Sequence, residues 1–455
     1  MSPHPLQRLF ALAWPILISR STQVVIGLAD ALMVAHLGQD ALAATTTAAF
    51  NTYTLLIFPM GITFIVSSFA SQLFGAGDMQ GARRYGVYGL FLAVAAQGVG
   101  LLAIPTLSKA LSLFAYTPPV RVMVEQYLAV RFLSVGAAVG SEALTNFYGG
   151  IGNTRLPMVM NVLAMVINVG GNGLLIDGRC GLPALGVLGA AWASTMSNWV
   201  VFVVFASIFF RSGRKAGQGG KAIPRGLSWS ECRRMLTFGV PSGFNWFFEF
   251  LAFSAFVNVV VAGLGTTALA AFMAVMQINS VAFMPAWGFS SAGAILVGQS
   301  IGAGQKYEVP RLLRWTWGVA AGWQGLISSV YLLAPTFLLE PFATSGTRAA
   351  GFLVVGARML RWSSAWQLFD ATVGAFSETL RATGDTAFPM WSRIVLAWLV
   401  FLPGAWISVH LLGHGDVAAL WWVVLYMGLL AIALLWRFST GRWREIRLVE
   451  GKLAH

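Results

Sequence analysis

Arg361-Trp-Ser-Ser-Ala-Trp-Gln-Leu-Phe-Asp-Ala-Thr-Val-Gly-Ala-Phe-Ser-Glu-Thr-Leu380 is the stretch whose reading decides the fold. It lies in an almost wholly apolar chain, is long enough to cross a bilayer, and carries Asp370 near its middle. A carboxylate at that depth costs roughly 3 kcal/mol on insertion scales and is rarely kept there without a task. One reading makes it a buried acid satisfied by neighbouring helices. The other makes it an ion or proton site in a transporter, and two further acids within apolar runs, Asp30 and Glu249, favour the second.

Of the 455 residues 57% are hydrophobic and only 10% charged, against roughly 25% charged in an ordinary soluble domain. With a mean hydropathy of +0.73 the chain reads as a polytopic membrane protein. Apolar runs of about 20 residues recur about a dozen times, where membrane-barrel strands would run about 10 and alternate. The expected fold is all-α, with twelve transmembrane helices in two pseudo-symmetric six-helix bundles. The net charge of +13 does not point to nucleic acid, because the basic residues sit in short loops and at the C-terminus. Cys180 and Cys232 are placed in loops on opposite sides of the membrane, where they can neither pair nor build a metal cluster. The first apolar run is too long for the core of a cleavable signal.

Spans are expected at about 10–34, 45–70, 87–107, 127–148, 157–177, 185–210, 238–262, 268–297, 314–339, 351–380, 389–411 and 418–438. The longest polar stretch, Arg211-Ser-Gly-Arg-Lys-Ala-Gly-Gln-Gly-Gly-Lys-Ala-Ile-Pro-Arg225, continues to Arg233 and reads as a flexible basic linker. The expected organisation is therefore a bundle at 1–210, a cytoplasmic linker at 211–233, and a bundle with a basic tail at 234–455. With the linker inside, Arg83, Arg84, Arg155, Lys306, Arg311, Arg381 and the tail also fall inside. Lys109, Arg121, Arg179 and Arg348 fall outside, so the basic bias sets both termini in the cytoplasm.

The halves resemble each other. Arg8-Leu-Phe-Ala-Leu-Ala-Trp-Pro15 pairs with Arg234-Met-Leu-Thr-Phe-Gly-Val-Pro241, and Leu37-Gly-Gln-Asp-Ala-Leu-Ala-Ala44 with Leu264-Gly-Thr-Thr-Ala-Leu-Ala-Ala271. Gln72-Leu-Phe-Gly-Ala-Gly77 pairs with Gln299-Ser-Ile-Gly-Ala-Gly304, and Gly152-Asn-Thr-Arg-Leu-Pro-Met158 with Gly384-Asp-Thr-Ala-Phe-Pro-Met390. An even number of spans per half gives both halves one orientation, with a site expected at their interface.

These residues resemble the multidrug and toxic compound extrusion (MATE) family. The resemblance is carried by Asp30-Ala-Leu-Met-Val-Ala-His-Leu-Gly38, the two Gln-x-x-Gly-Ala-Gly turns, Pro241 followed by Glu249, and Asp370 followed by Leu380-Arg-Ala-Thr-Gly-Asp-Thr386. Glu249 together with Asp370 is similar to the NorM-like branch. The resemblance implies a two-bundle transporter of a bacterial inner membrane that alternates between outward- and inward-facing states. It would expel drugs and other organic cations in exchange for Na+ or H+, as a monomer and without another cofactor.

Glu249, in Asn245-Trp-Phe-Phe-Glu-Phe250, is the expected partner of Asp370 in binding the coupling ion, and two acids sharing a site titrate as a pair. Asp30 is either an interfacial acid or a second site. Asn168 and Asn172, one turn apart on one face, support the latter, with Ser194 or Thr195 as helpers. Trp366, four residues before Asp370, offers an aromatic face to a cation. Arg20, Arg131, Arg358, Arg361 and Arg393 lie in or near spans and either snorkel or pair with acids such as Glu142. If one faces a cavity, an anionic or zwitterionic substrate follows. Glu378 and Arg381 read as an ion pair at a helix end. His410 and His414 are spaced for a metal but have only Asp416 near them in sequence, and no Walker loop is present to bring ATP. Two other functions are open: a lipid-linked saccharide flippase of the same exporter superfamily, and a membrane-embedded enzyme, for which no catalytic grouping is found.

Overall fold

Inside a bilayer a backbone amide finds no water, so so apolar a chain must satisfy its N–H and C=O groups within each segment, as helices do. The computed structural model describes residues 5–114, 116–216, 224, 226–343 and 347–449. Most of the expected linker core, 217–223 and 225, and the end of the basic tail, 450–455, lie outside the described residues.

Twelve spans follow in order. They are α1 Pro5–Ala35, α2 Gln39–Gly75, α3 Met79–Ala103, α4 in two parts (Pro118–Phe132 and Val135–Gly150), α5 Arg155–Leu175 and α6 Val187–Ala216. Then come α7 Trp229–Ala255, α8 Thr266–Gly302, α9 Val309–Leu333, α10 Thr347–Thr383, α11 from Ala387–Val395 on to Leu411, and α12 Asp416–Ser439. Among the described residues nine are long and apolar enough to cross a membrane alone. Two more are bent pairs: α4 at 51°, and α9 at 95°, where Pro335 has no N–H to continue the ladder. The twelfth is α10, which holds Asp370.

Each expected span coincides with a helix, and most helices run further. Thr45-Thr-Thr47 lies inside α2 rather than at its edge, and the Thr46 hydroxyl bonds the Leu42 carbonyl at 2.8 Å. A hydroxyl that bonds its own helix one turn back needs no water, so a polar run of threonines does not end a span. Cys232 likewise falls inside α7 rather than in a loop.

The duplication is visible in the backbone. After α2, Gly77 has φ +79° and Asp78 N–H bonds Leu73 O at 2.8 Å. After α8, Gly304 has φ +77° and Gln305 N–H bonds Ser300 O at 2.8 Å. Both Gln-x-x-Gly-Ala-Gly segments are thus the same left-handed helix terminator, which only the final glycine enters without strain. The repeat register is 226 at Pro15 and Pro241 but 227 at Leu37 and Leu264, so α7 has gained one residue over α1. That residue is absorbed by a π-helical turn at Phe256–Val261.

The chain forms two compact units, Trp14–Gly243 and Met1–Ala13 with Phe244–His455. Each divide falls inside a helix, within two residues of Pro15 or Pro241. In the first unit α4 packs on α2, α3 and α6; in the second α10 packs on α8, α9 and α12. The start of α7 belongs with the first unit because it is tied to α3. Arg84 makes a two-point ion pair with Glu231, with Nε to Oε2 at 2.9 Å and Nη2 to Oε1 at 3.0 Å. The Tyr88 hydroxyl donates to Glu231 at 2.9 Å and accepts from Ser228 N–H at 2.7 Å. Nearby, Arg83 donates to the Phe209 carbonyl at 2.8 Å at the end of α6.

Close approach of α2 to α7 in this unit relies on glycine. A Cβ on Gly61 would stand 2.8 Å from the Gly243 Cα, whereas one on Gly98 would meet nothing within 4 Å. Gly61→Val is therefore expected to cost about 1–3 kcal/mol, lowering the thermal unfolding midpoint in detergent by several degrees, with Gly98→Ala unchanged.

Candidate ion and substrate sites

The first unit brings four of its helices to one polar cluster. Asp30 of α1 accepts a hydrogen bond at 2.5 Å from Asn172 Nδ2 of α5. Asn172 also reaches Asn168 Oδ1 at 3.5 Å, and Asn168 Nδ2 donates to Ser194 Oγ of α6 at 2.9 Å. Asp30 is 9% exposed, Asn168 1% and Asn172 0%. The expectation of an Asp–Asn–Asn cluster on α1 and α5 matches this geometry, and of the two α6 candidates only Ser194 joins. Thr195 instead bonds the Val130 carbonyl at 3.1 Å, tying α6 to α4. Asn172 Oδ1 keeps no hydrogen-bond partner. Arg131 of α4 acts electrostatically on Asp30, and its Nε and Nη1 have no hydrogen-bond partner either.

In the second unit the two acids are held differently. Asp370 Oδ2 accepts from Gln324 Nε2 of α9 at 3.1 Å. Gln324 is fully buried and its Oε1 has no partner. One turn before Asp370, Gln367 donates to Asn279 Oδ1 of α8, and Asn279 returns its own amide to the Val275 carbonyl at 2.8 Å. Glu249 of α7 forms an ion pair with Arg393 of α11, whose side chain is buried. Glu249 and Asp370 are thus held by different helices, Glu249 by Arg393 of α11 and Asp370 by Gln324 of α9. Trp366 is buried, 7% exposed.

The remaining intramembrane arginines are largely accounted for. Arg20 pairs with Glu142 at 2.9 Å, Arg358 with Asp416 at 2.7 Å, and Arg381 with Glu378. Asp416 is thus engaged by an arginine, and His410 Nε2 lies 2.9 Å from the Val259 carbonyl. Gln324 is a residue that sequence reasoning missed, and for Arg393, read as an arginine that snorkels or pairs with an acid, it did not name Glu249 as the partner. Gln367 carries a readable signal, since it is three residues before Asp370 and on its face. Gln324 carries none, being a lone amide in an apolar run.

Twelve spans, an internal repeat, and carboxyl groups held inside each unit by amides define a polytopic membrane transporter. The MatE profile matches residues 15–174 and 241–407, once per half, and the chain belongs to this family, the MATE transporters, on the NorM-like branch. It is 29% identical over 446 residues to the probable multidrug resistance protein NorM of Pseudomonas putida, covering 98% of this chain and 96% of that one. To multidrug resistance protein NorM of Burkholderia vietnamiensis it is 30% identical over 450 residues, covering 94% and 92%. The fold is that of solved relatives. It matches a crystal structure of MATE in complex with MaL6 at a TM-score of 0.87 and 18% identity, over 98% of each chain. It matches a MOP superfamily transporter from Pyrococcus furiosus at 0.86 and 18%, over the same shares.

Asn172→Ala removes the hydrogen bond that Asp30 accepts from the Asn172 amide at 2.5 Å. A buried carboxyl group losing its partner is expected to cost about 1–3 kcal/mol, read as a lower thermal midpoint. The exposed Asn258, which bonds only the Ser254 carbonyl of its own helix, should tolerate alanine without a shift.

Proposed function

We propose that the chain is a secondary active multidrug efflux antiporter, exporting organic cations in exchange for Na+ or H+ by alternating access. The observation that carries this reading is Asp370, whose carboxyl group meets the neutral amide of Gln324 and no cation of the chain among the described residues. A carboxylate in oil with only a neutral partner is poised to take a proton, a sodium ion or a cationic substrate, each of which relieves its burial. The Gln324 amide suits both states: its Nε2 donates to the ionised acid, and its free Oε1 can accept from the protonated acid or ligate Na+. Asp30, held by Asn172, is the second exchangeable acid, in the other unit.

The names of the relatives support multidrug export, and the absence of a Walker loop in the sequence supports an ion gradient as the source of drive. The membrane is a bacterial inner membrane. Arg83, Arg84, Glu231 and Ser228 cluster at one end of the first unit, which supports placing that end and the linker in the cytoplasm, with both termini.

The test is efflux of an ethidium-like cation from proteoliposomes under separately imposed Na+ and H+ gradients. One gradient should drive it, and Asp370→Asn should lower gradient-driven efflux at least tenfold while expression and folding are kept. Full efflux by that variant removes the mechanism. Movement of a lipid-linked saccharide in place of the dye would assign the chain to the flippases instead.

A further inference from the structure

The repeat gives the Glu249–Arg393 pair a counterpart. The register of 226 that sets Pro15 on Pro241 sets Gln23 on Glu249, and the register of 232 that sets Gly152 on Gly384 sets Asn161 on Arg393. The extra residue of α7 lies in the π turn at Phe256–Val261, beyond Glu249, and the π segments of α11 begin at Leu396, beyond Arg393. Both registers therefore hold at these positions. In the first unit Gln23 Nε2 donates to Asn161 Oδ1 at 3.4 Å. The same position on the corresponding spans thus carries a helix-to-helix tie in both halves, made of neutral amides in one and of opposite charges in the other.

We propose that Arg393 is the permanent counter-cation of Glu249, so that Asp370 is the one exchangeable carboxylate of its unit and that unit carries a single monovalent cation per cycle. A guanidinium does not deprotonate in proteins, so Arg393 cannot leave the pair by titration. Arg393 is 6% exposed, and withdrawing Glu249 from it would strand a buried charge. An inorganic cation approaching Glu249 also meets a like charge. Asp370 faces none of these obstacles, because its partner is an amide. Arg393 acts here through Glu249 and is a positioning residue. The proposal rests on the antiporter reading and sharpens it to an ion count.

The experiment is the ratio of coupling ions to substrate, measured in proteoliposomes from the gradient that just balances a substrate gradient. The double variant Glu249→Gln/Arg393→Asn rebuilds in the second unit the neutral tie of the first. It is expected to fold, and to keep the ratio and an efflux rate within twofold of the unaltered protein. Arg393→Asn alone uncovers Glu249 and is expected to raise the ratio by one ion. A folded double variant whose ratio falls by one, or which loses gradient-driven efflux, overturns the proposal. So does a folded Arg393→Asn protein with an unchanged ratio, and so does a double variant that does not fold, because the two ties would then not be equivalent. If no gradient drives efflux by the unaltered protein, it is the antiporter reading that fails.

Discussion

A charge inside a bilayer must be met by another group of the same protein, and this requirement organises the polar chemistry of the chain. Arginine and acid meet repeatedly: Arg20 with Glu142, Arg84 with Glu231, Arg358 with Asp416, Arg393 with Glu249, and Arg437 with Asp385 at 2.6 Å. Such pairs neutralise themselves and need nothing from outside. Asp370 stands apart because it is held by a carboxamide, which bonds the group without cancelling its charge, and Asp30 is bonded by a carboxamide too, with Arg131 acting on it electrostatically. In the antiporter reading proposed above, function follows from that contrast more than from the number of acids, since a self-neutralised acid has little left to offer an ion.

The scaffold that permits this is built from small residues and repeated helix ends. Left-handed glycines stop α2 and α8 in the same way, and glycine lets α7 approach α2 to backbone contact. The helices that occupy the middle of their units, α4 and α10, are corresponding members of the repeat, and both are the polar ones. Arg131 and Glu142 lie on α4; Arg358, Asp370 and Glu378 lie on α10. A central helix is where a polar group can avoid lipid on every side, which accounts for the placement of the most polar span.

Much of this was legible in the sequence because the deciding signals are long. Runs of about 20 apolar residues specify membrane helices almost regardless of their detail, and four ordered repeats specify the duplication. The Asp30, Asn168 and Asn172 cluster was legible too, because two asparagines four apart share a face and α5 returns beside α1. The individual partners of Glu249 and Asp370 were not. Both lie mid-span, but which neighbour an acid turns to depends on helix rotation, and rotation is fixed by packing that single-sequence periodicity does not report. Arg393 was readable as a charged residue in a span, yet nothing in its surroundings named Glu249 as its partner. Gln324 looked like any amide because its importance comes only from what α10 sets beside it.

The inserted residue in α7 is contained within its own turn. In a helix each position is rotated by about 100° from the last, so one added residue turns everything beyond it to a new azimuth unless the extra is absorbed locally, as it is at Phe256–Val261. The facing pattern is thereby kept on either side of the turn, and the turn itself is what is remade: Asp30 aligns with Phe256 or Val257, both apolar and both inside it. One half thus carries an acid toward the far end of its leading helix, where the other has the apolar wall of a π turn and carries its acids elsewhere.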